Sequence, residues 1–571
     1  MKNQELANLL YRLADILEIN KVEWKPRAYR RAAQAIETLS YDIEDCDKKK
    51  LMEIPGVGRN IAEKIEEYIK TGKIKELEKE SKKIPAGLEQ LLELMGLGPK
   101  KISVLYEKLK IKNIKDLEKA AKEHKISKLE GFGLKSEENI LEAIGYKTES
   151  SKRMLLNVAL LTAERIKNEF KNLKEIKHFE VMGSLRRMKE TIGDVDILVT
   201  TNKPKLVMDR FVNLKDVKKV IGKGETKTTV LLDNGMQVDL RVVPNESFGA
   251  ALQYFTGNKE HNIATRNIAI KKGLKLSEYG LFDRKNNRRV AESEEEIYKK
   301  LGLKWMVPEL REARGEIEAA RTGKLPKLIE IKDIKGDLHN HTTWSDGGNS
   351  IIEMVEAAKK KGYEYFAITD HSKTTAVANG LDERRLKEQY KEILKARSKV
   401  KGIKILWGTE CDILGNGELD YPDDVLKKFD IVVAAVHSGF KMDEDKMTNR
   451  IIKAIKNENV DIMDHPTGRL IDRRPAYKVD LEKVFKVAEE TGTVFEVNSS
   501  PNRLDLNDVN VMAALKHGLK LAIDTDSHSV DQLNFINLGV AQARRGWAEA
   551  KDVVNTLSFE KLKKTFRKIN V

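Results

Sequence analysis

Nine side chains of metal-ligating type occupy the last two-fifths of the chain: His339, His341, Asp346, His371, Glu410, His437, His465, Asp526 and His528. They include six of the ten histidines in the sequence, and several stand where short apolar runs end. Phe366-Ala367-Ile368-Thr369 leads into Asp370-His371, Ile431 through Val436 into His437, and Leu519 through Ile523 into Asp524-Thr525-Asp526. Imidazole and carboxylate together suit Zn, Mn or Fe, and nine donors exceed what one ion uses. The pattern predicts a cluster of metal ions, a site able to activate water.

A second constellation begins at Gly183-Ser184-Leu185-Arg186-Arg187 and continues to Gly193-Asp194-Val195-Asp196. Along a strand, residues two apart share a face, so Asp194 and Asp196 point the same way. Asp239 lies in a later strand-like run, Gln237 to Val243. Three converging carboxylates suit a pair of hard divalent ions, Mg²⁺ or Mn²⁺, that help a hydroxyl attack a nucleotide phosphate in line. Ser184 with nearby backbone amides would hold the departing phosphates, and Arg187 would neutralise their charge.

The elements that position these groups follow from periodicity. Apolar runs alternating with helical stretches after Lys335 predict a parallel β/α barrel, whose strands deliver polar side chains to one rim. From Asn3 to Glu149 the chain reads as lysine-rich helix interrupted by glycine turns: Gly56-Val57-Gly58, Gly96-Leu97-Gly98-Pro99-Lys100 and Gly131-Phe132-Gly133. Paired glycines before a helix expose free N–H groups at the positive end of its dipole, which suits a phosphate. Such contacts grip a backbone without reading sequence. A formal net charge of +15 over 571 residues fits a polyanionic partner. No apolar stretch approaches a membrane span of roughly 20 residues, and the charged, helical start is unlike a secretory signal. Cys46 and Cys411 form no disulfide framework, in keeping with a reducing cytoplasm.

On these motifs the region from Lys335 onward resembles the PHP (polymerase and histidinol phosphatase) superfamily, with HxH, Asp, TDH, Glu, His, His and DxH in the family's order. The region up to about Ala320 resembles the family X DNA polymerases. The turns at Gly56-Gly58 and Gly96-Gly98 are similar to helix-hairpin-helix motifs, the third at Gly131-Gly133 reading as structural, and Gly183-Ser184 with the carboxylates is similar to the nucleotidyltransferase core. Tyr254-Phe255-Thr256-Gly257-Asn258-Lys259-Glu260-His261-Asn262 is similar to the sugar-selecting turn. The resemblance implies Tyr254, Phe255 and Gly257 against the incoming sugar, Asn262 at the base and minor groove, and Arg266 at the template. It places Lys64 at the Schiff-base lysine of a deoxyribose-phosphate lyase module, with Lys25, Tyr29 and Arg30 as DNA contacts beside it. Gln237 and Lys259 depart from the animal repair enzymes, so base-pair checking does not carry over, and Asn60 replaces a lysine that supports the lyase.

Jointly these features look like a prokaryotic family X polymerase with a C-terminal PHP domain. The expected fold is multidomain α+β and α/β: a helical lyase-like unit (1–82), a helix-hairpin-helix fingers unit (83–149), a palm with a mixed β-sheet (150–243) and an α+β thumb (244–320). A linker (321–334) and a distorted TIM-like barrel (335–571) complete it. The implied function is filling short gaps in DNA repair, with metal-dependent 3′–5′ trimming or abasic-site cleavage by the barrel, where Arg469 would clamp the phosphate. Gapped or nicked DNA and dNTPs are the expected partners of a monomeric, nucleoid-associated cytoplasmic enzyme. Two alternatives are a barrel acting on pyrophosphate or small phosphomonoesters, and a scaffold that binds DNA ends.

Overall fold

The computed structural model describes residues 2–37, 43, 46–54, 56–94, 97–150, 153–471, 473–566, 568–569 and 571. The glycine turn at Gly96 falls outside them. The N-terminal region is helical because its apolar residues repeat at helical spacing: Leu6, Leu10, Leu13 and Leu17 of helix Lys2–Ile19 are all buried. They join one apolar core that runs from Leu6 to Ile144, so the glycine turns at Gly58 and Gly98 rest on a common support.

Palm strands β1 (Ile176–Val181), β2 (Asp194–Thr201), β3 (Val217–Lys223), β4 (Lys227–Leu232) and β5 (Gln237–Val243) form a five-stranded sheet in the order β1-β2-β5-β4-β3. Only β2 and β5 are parallel, and their register sets Asp196 directly opposite Asp239. The thumb carries a three-stranded antiparallel sheet, β6 (Leu274–Ser277), β7 (Gly280–Asp283) and β8 (Arg289–Ala291). Palm and thumb are joined by a buried charge cluster. Glu294 receives Arg186 from the palm at 2.9 and 3.0 Å, Arg311 at 2.6 Å and the Trp305 indole at 3.1 Å.

Seven parallel strands follow, each paired with its successor in sequence: β9 (Gly336–Asp337), β10 (Tyr365–Ile368), β11 (Lys404–Asp412), β12 (Ile431–Ala435), β13 (Ile462–Met463), β14 (Val494–Asn498) and β15 (Leu521–Asp524). His341 N–H bonds to the Ser527 carbonyl at 2.8 Å, bringing the first strand's end against the last and nearly closing a barrel. Successive strand residues alternate between two cores, as a pleat requires. Tyr365, Ala367, Leu406, Ile431 and Val433 face inward, whereas Phe366, Ile368, Ile405 and Val432 pack outward against helices. Inside, Phe559 and Leu562 of helix Phe559–Thr565 close the floor, at the end where the strands begin.

The barrel docks on the palm. Its Ile471, Leu504 and Leu538 share an apolar cluster with the palm core, and Arg544 meets Glu309 at 2.8 Å.

Candidate functional site

In the palm, Asp194, Asp196 and Asp239 each offer a carboxylate oxygen, and these lie within 4.8 Å of one another. Gly183 has φ +62, and a Cβ there would stand 2.5 Å from Asp196 Oδ2, so the turn admits only glycine. Burial, followed by the charges of Asp194 and Asp239, pushes the Asp196 carboxyl up to about 7. Asp239 accepts from the Thr229 hydroxyl at 2.6 Å and pairs with Lys227 at 2.5 Å. Lys227 and Thr229 were not legible as site residues, because β4 carries no motif; only the antiparallel register places Thr229 beside Asp239.

Around this triad the helix Phe248–Thr256 presents Tyr254 and Phe255 edge to face at 5.1 Å. Arg241 lies over Phe255 at 4.4 Å and Arg266 over Tyr254 at 6.0 Å. Gly257 ends the helix with φ +69; a Cβ on it would come within 3.3 Å of Arg187 Nη1. Asn262 donates to the Tyr254 carbonyl at 2.6 Å and accepts from Gln253 at 3.1 Å, so its amide holds the aromatic helix end in place. Arg187 is buried; its Nε donates to Glu312 at 2.9 Å and its Nη1 to the Thr256 carbonyl at 2.5 Å.

At the barrel rim the side chains expected as ligands converge, and they overlap in three metal-sized groups: His341, Asp346, His371 and His528; His339, His341 and Glu410; and Glu410, His437 and His465 with Asp464. Asp526 stands 3.2 Å from His341 Nε2. Two carboxylates beyond the expected set belong here. Asp464 and Glu496 make a further group with His339, whose Nδ1 lies 2.8 Å from Glu496. Glu496 had a signal, a lone acid inside the apolar run Val494-Phe495-Glu496-Val497.

The chemistry of this donor set fits metal ions. His371 Nδ1, Glu410 Oε2, both Asp464 oxygens and His465 Nε2 are buried and make no aligned hydrogen bond, although buried polar atoms are normally paired; instead they crowd one another, His371 Nδ1 at 2.7 Å from Glu410 Oε2 and His465 Nε2 at 2.8 Å from Asp464 Oδ2, as atoms aimed at a shared ion would. Neighbouring rings also compete for protons. Burial, His528 and His371 push His341 down to about 3, whereas His437, opposed by burial but drawn by Glu410 and Asp412, is raised to about 10. Asp412, 2.5 Å from His437 Nδ1, orients that ring from behind.

Arg469 requires a correction. It is turned away from the cluster and forms a bidentate pair with the palm's Glu190, at 3.1 and 2.7 Å, while donating to the Arg503 carbonyl at 2.8 Å. The arginine at the cluster is Arg503: its Nε is 3.6 Å from Asp526, and its Nη1 is buried without a hydrogen-bond partner. Arg474 is close by, over the Phe440 ring at 3.7 Å, and burial with the charge of Arg503 lowers it to about 10. No spacing rule marks either residue.

The N-terminal residues fall into two groups. Gly58 caps helix Arg59–Thr71 and Gly98 caps Pro99–Leu109, each without a side-chain partner, and Lys100 is exposed beside the second turn. Gly56, at φ +84, packs against Arg31. Lys25, Tyr29 and Arg30, expected to face DNA, are held by acids instead. Glu76 accepts from Lys25 at 3.0 Å and from buried Tyr29 at 2.8 Å, and Arg30 pairs with Asp15 and Glu18 at 2.6 and 2.5 Å. Lys64 is 2.9 Å from the same Glu76, so attack on an aldehyde would first have to break that pair. Trp24, 81% exposed, stands at a cavity of about 590 Å³ lined also by Lys21, Arg27 and Lys100.

Five segments of the chain match known families. Residues 1–74 match the helix-hairpin-helix domain family and 88–145 the SAM-like helix-hairpin-helix tandem. Residues 158–245 match the DNA polymerase beta palm, 251–312 the DNA polymerase beta thumb and 337–500 the PHP domain. The chain is 40% identical over 564 residues to the DNA polymerase/3′-5′ exonuclease PolX of Bacillus subtilis (strain 168), covering 98% of each. Over 203 residues, 34% of this chain, it is 34% identical to a probable phosphatase of Thermoanaerobacter sp. (strain X514), covering 78% of that protein. A probable phosphatase of Caldanaerobacter subterraneus is 32% identical over 34% of this chain and 75% of its own.

Proposed function

Because the chain belongs to the family X DNA polymerases that carry a C-terminal PHP domain, we propose that it fills short gaps during DNA repair with its palm and trims 3′ ends with its barrel. It is a DNA-directed DNA polymerase with a metal-dependent 3′–5′ exonuclease. The observation that carries the reading is the presence, in one chain, of a three-carboxylate palm and an overlapping set of rim ligands.

In the palm, Asp194, Asp196 and Asp239 would hold Mg²⁺ or Mn²⁺. At the rim, His339, His341, Asp346, His371, Glu410, His437, His465, Asp526 and His528 would hold Zn, Mn or Fe. Bound divalent ions supply charge neutralisation at phosphorus and ease deprotonation of the attacking hydroxyl or water. The remaining work falls to the chain. Asp196, pushed up by burial and its acidic neighbours, is the carboxylate whose ionised form bound cations would favour most. Ser184 and the turn amides hold the pyrophosphate portion, and Arg187 neutralises it. Tyr254, Phe255 and Gly257 crowd the sugar 2′ position, and Arg266 steadies the template. In the barrel, Arg503 grips the scissile phosphate beside Asp526, and Arg474 reinforces its positive charge.

The helix-hairpin-helix turns at Gly58 and Gly98, with Lys100, bind duplex backbone, and Trp24 offers an indole on which an unpaired base can stack. We assign the units 1–82, 83–149, 150–243, 244–320 and 335–571 to DNA holding, fingers, palm, thumb and phosphoesterase, and place the enzyme as a monomer in the cytoplasm. Full-length likeness to a polymerase/exonuclease favours DNA over a small phosphomonoester as the barrel's substrate. The test is incubation with a gapped, 3′-labelled duplex with and without dNTPs. Extension in one lane and shortening in the other are expected; unchanged DNA in both would refute the reading.

A further inference from the structure

The palm segment 187–190, which links the Ser184 turn to the strand bearing Asp194, meets the barrel at three points. Arg545 Nη1 donates to the Arg187 carbonyl at 2.5 Å, Gln542 to the Met188 carbonyl at 3.3 Å, and Arg469 pairs with Glu190. Arg545 ends barrel helix Ile536–Arg545, and its side chain is 1% exposed. It also reaches Glu312 Oε1 at 3.0 Å, the same oxygen that accepts from Arg187 Nε at 2.9 Å. On its other side Arg545 pairs with Asp508 at 2.5 Å, which Arg314 also approaches at 3.1 Å. A chain of alternating charges thus runs Arg187, Glu312, Arg545, Asp508, Arg314, across the boundary between the polymerase and the barrel.

This arrangement bears on how Arg187 could serve a nucleotide. To reach a triphosphate its guanidinium must turn from Glu312, and a buried carboxylate stripped of its partner is strongly unfavourable. A second guanidinium on the same oxygen removes that penalty. Resting on the reading of Arg187 given above, we propose that Arg545, a barrel residue, is a positioning residue for DNA synthesis: it keeps Glu312 compensated while Arg187 turns to the incoming triphosphate. The barrel would then have a part in polymerisation separate from its own hydrolytic chemistry.

The test is steady-state insertion of one nucleotide into a gapped duplex by the full chain. Arg545→Gln should raise the KM for the dNTP on the order of tenfold, a loss equal to one charge-assisted hydrogen bond, and change kcat less than twofold. Arg545→Lys should recover most of it. Glu312→Gln removes the group that holds Arg187, so the double variant Glu312→Gln, Arg545→Gln should return to the KM of Glu312→Gln alone. An unchanged KM in Arg545→Gln, or an increase that persists in the double variant, overturns the proposal. Should Arg545→Gln lose 3′ shortening as well, marking a misfolded barrel, Glu312→Gln alone decides: a KM at or below the unmodified value supports the proposal and a raised KM overturns it. Arg187→Ala separates the two levels. A normal KM there removes the assignment of Arg187 itself, whereas a raised KM beside a normal Arg545→Gln removes only the role of Arg545.

Discussion

The palm and barrel sites solve the placement of negative charge in opposite ways. Of the three carboxylates on two neighbouring palm strands, Asp194 and Asp196 are partly open and Asp239 is buried, and Lys227, Thr229 and Arg241 moderate their repulsion. The barrel draws donors from the ends of many strands, buries His339, His341, His371, Glu410 and His465 and leaves several donor atoms without aligned hydrogen bonds. Oxygen-only ligands beside a lysine suit a metal that arrives and leaves with each nucleotide. Imidazoles that converge on one another and on buried carboxylates suit one that stays. The lesson is that residence time is written in how completely a protein satisfies its own ligands.

The sharpest way to break this contrast is to remove one site at a time. Asp239→Ala should lower primer extension at least about 10³-fold, in keeping with the loss of charge stabilisation at a developing phosphoryl transition state, and leave 3′ shortening intact. His339→Ala with His341→Ala should do the reverse, both read on one gel with folding checked by circular dichroism. Shortening that survives in the histidine variant would move the nuclease out of the barrel.

Next in size is the palm–thumb latch, a paired charge cluster with no counterpart role for metal. Glu294→Gln should destabilise the thumb by about 3–5 kcal/mol, because buried Arg311 loses its partner, as measured by urea unfolding followed through Trp305 fluorescence. Burial pushes the Glu294 carboxyl up, but Arg311 and Arg186 override it and hold it down to about 2. Its folded value is thus below the ordinary carboxylate value of about 4.3. The stabilisation is therefore complete above that value and is lost as pH falls from there through about 2. Glu294→Gln should lack this acid loss; an identical acid profile in both proteins would dismiss the latch.

A smaller effect should sharpen the assignment of the barrel's phosphate site. Arg503→Ala should slow 3′ shortening about 10²-fold, the scale of one lost electrostatic donor, while Arg469→Ala should slow it less, through the carbonyls it supports. Equal losses would return Arg469 to the site. Smallest of all, Lys100→Ala should reduce the log–log salt slope of duplex binding by about 1 from a starting value near −4 to −5. An unchanged slope would take the second glycine turn out of the DNA interface.

Much of this was legible because local spacing and global register agree. The Asp194–Asp196 alternation survives into the sheet, and histidines at the ends of apolar runs reach one rim. What escaped depends on partners far away in sequence. Tyr29 and Lys25 look like DNA contacts until Glu76 is brought to them, and Arg469 looks like a phosphate clamp until the palm supplies Glu190. Thr229 and Arg503 carry no pattern, and only strand pairing or a barrel loop reveals them. Glu496 could have been found, since an acid inside an apolar run needs a charged or metallic partner.

The helix that closes the barrel floor is synthesised after every strand it covers. Phe559 and Leu562 cover Tyr365, Leu406 and Ile431, side chains made long before them. During synthesis the DNA-holding helices and the palm can fold as they emerge, while the ring of strands waits with an open apolar base. Nuclease competence, and the contact of Arg545 with the palm, would therefore come only with the finished barrel. Any truncation before Phe559 would leave that base uncovered, producing an aggregation-prone barrel and weakening its support of the polymerase.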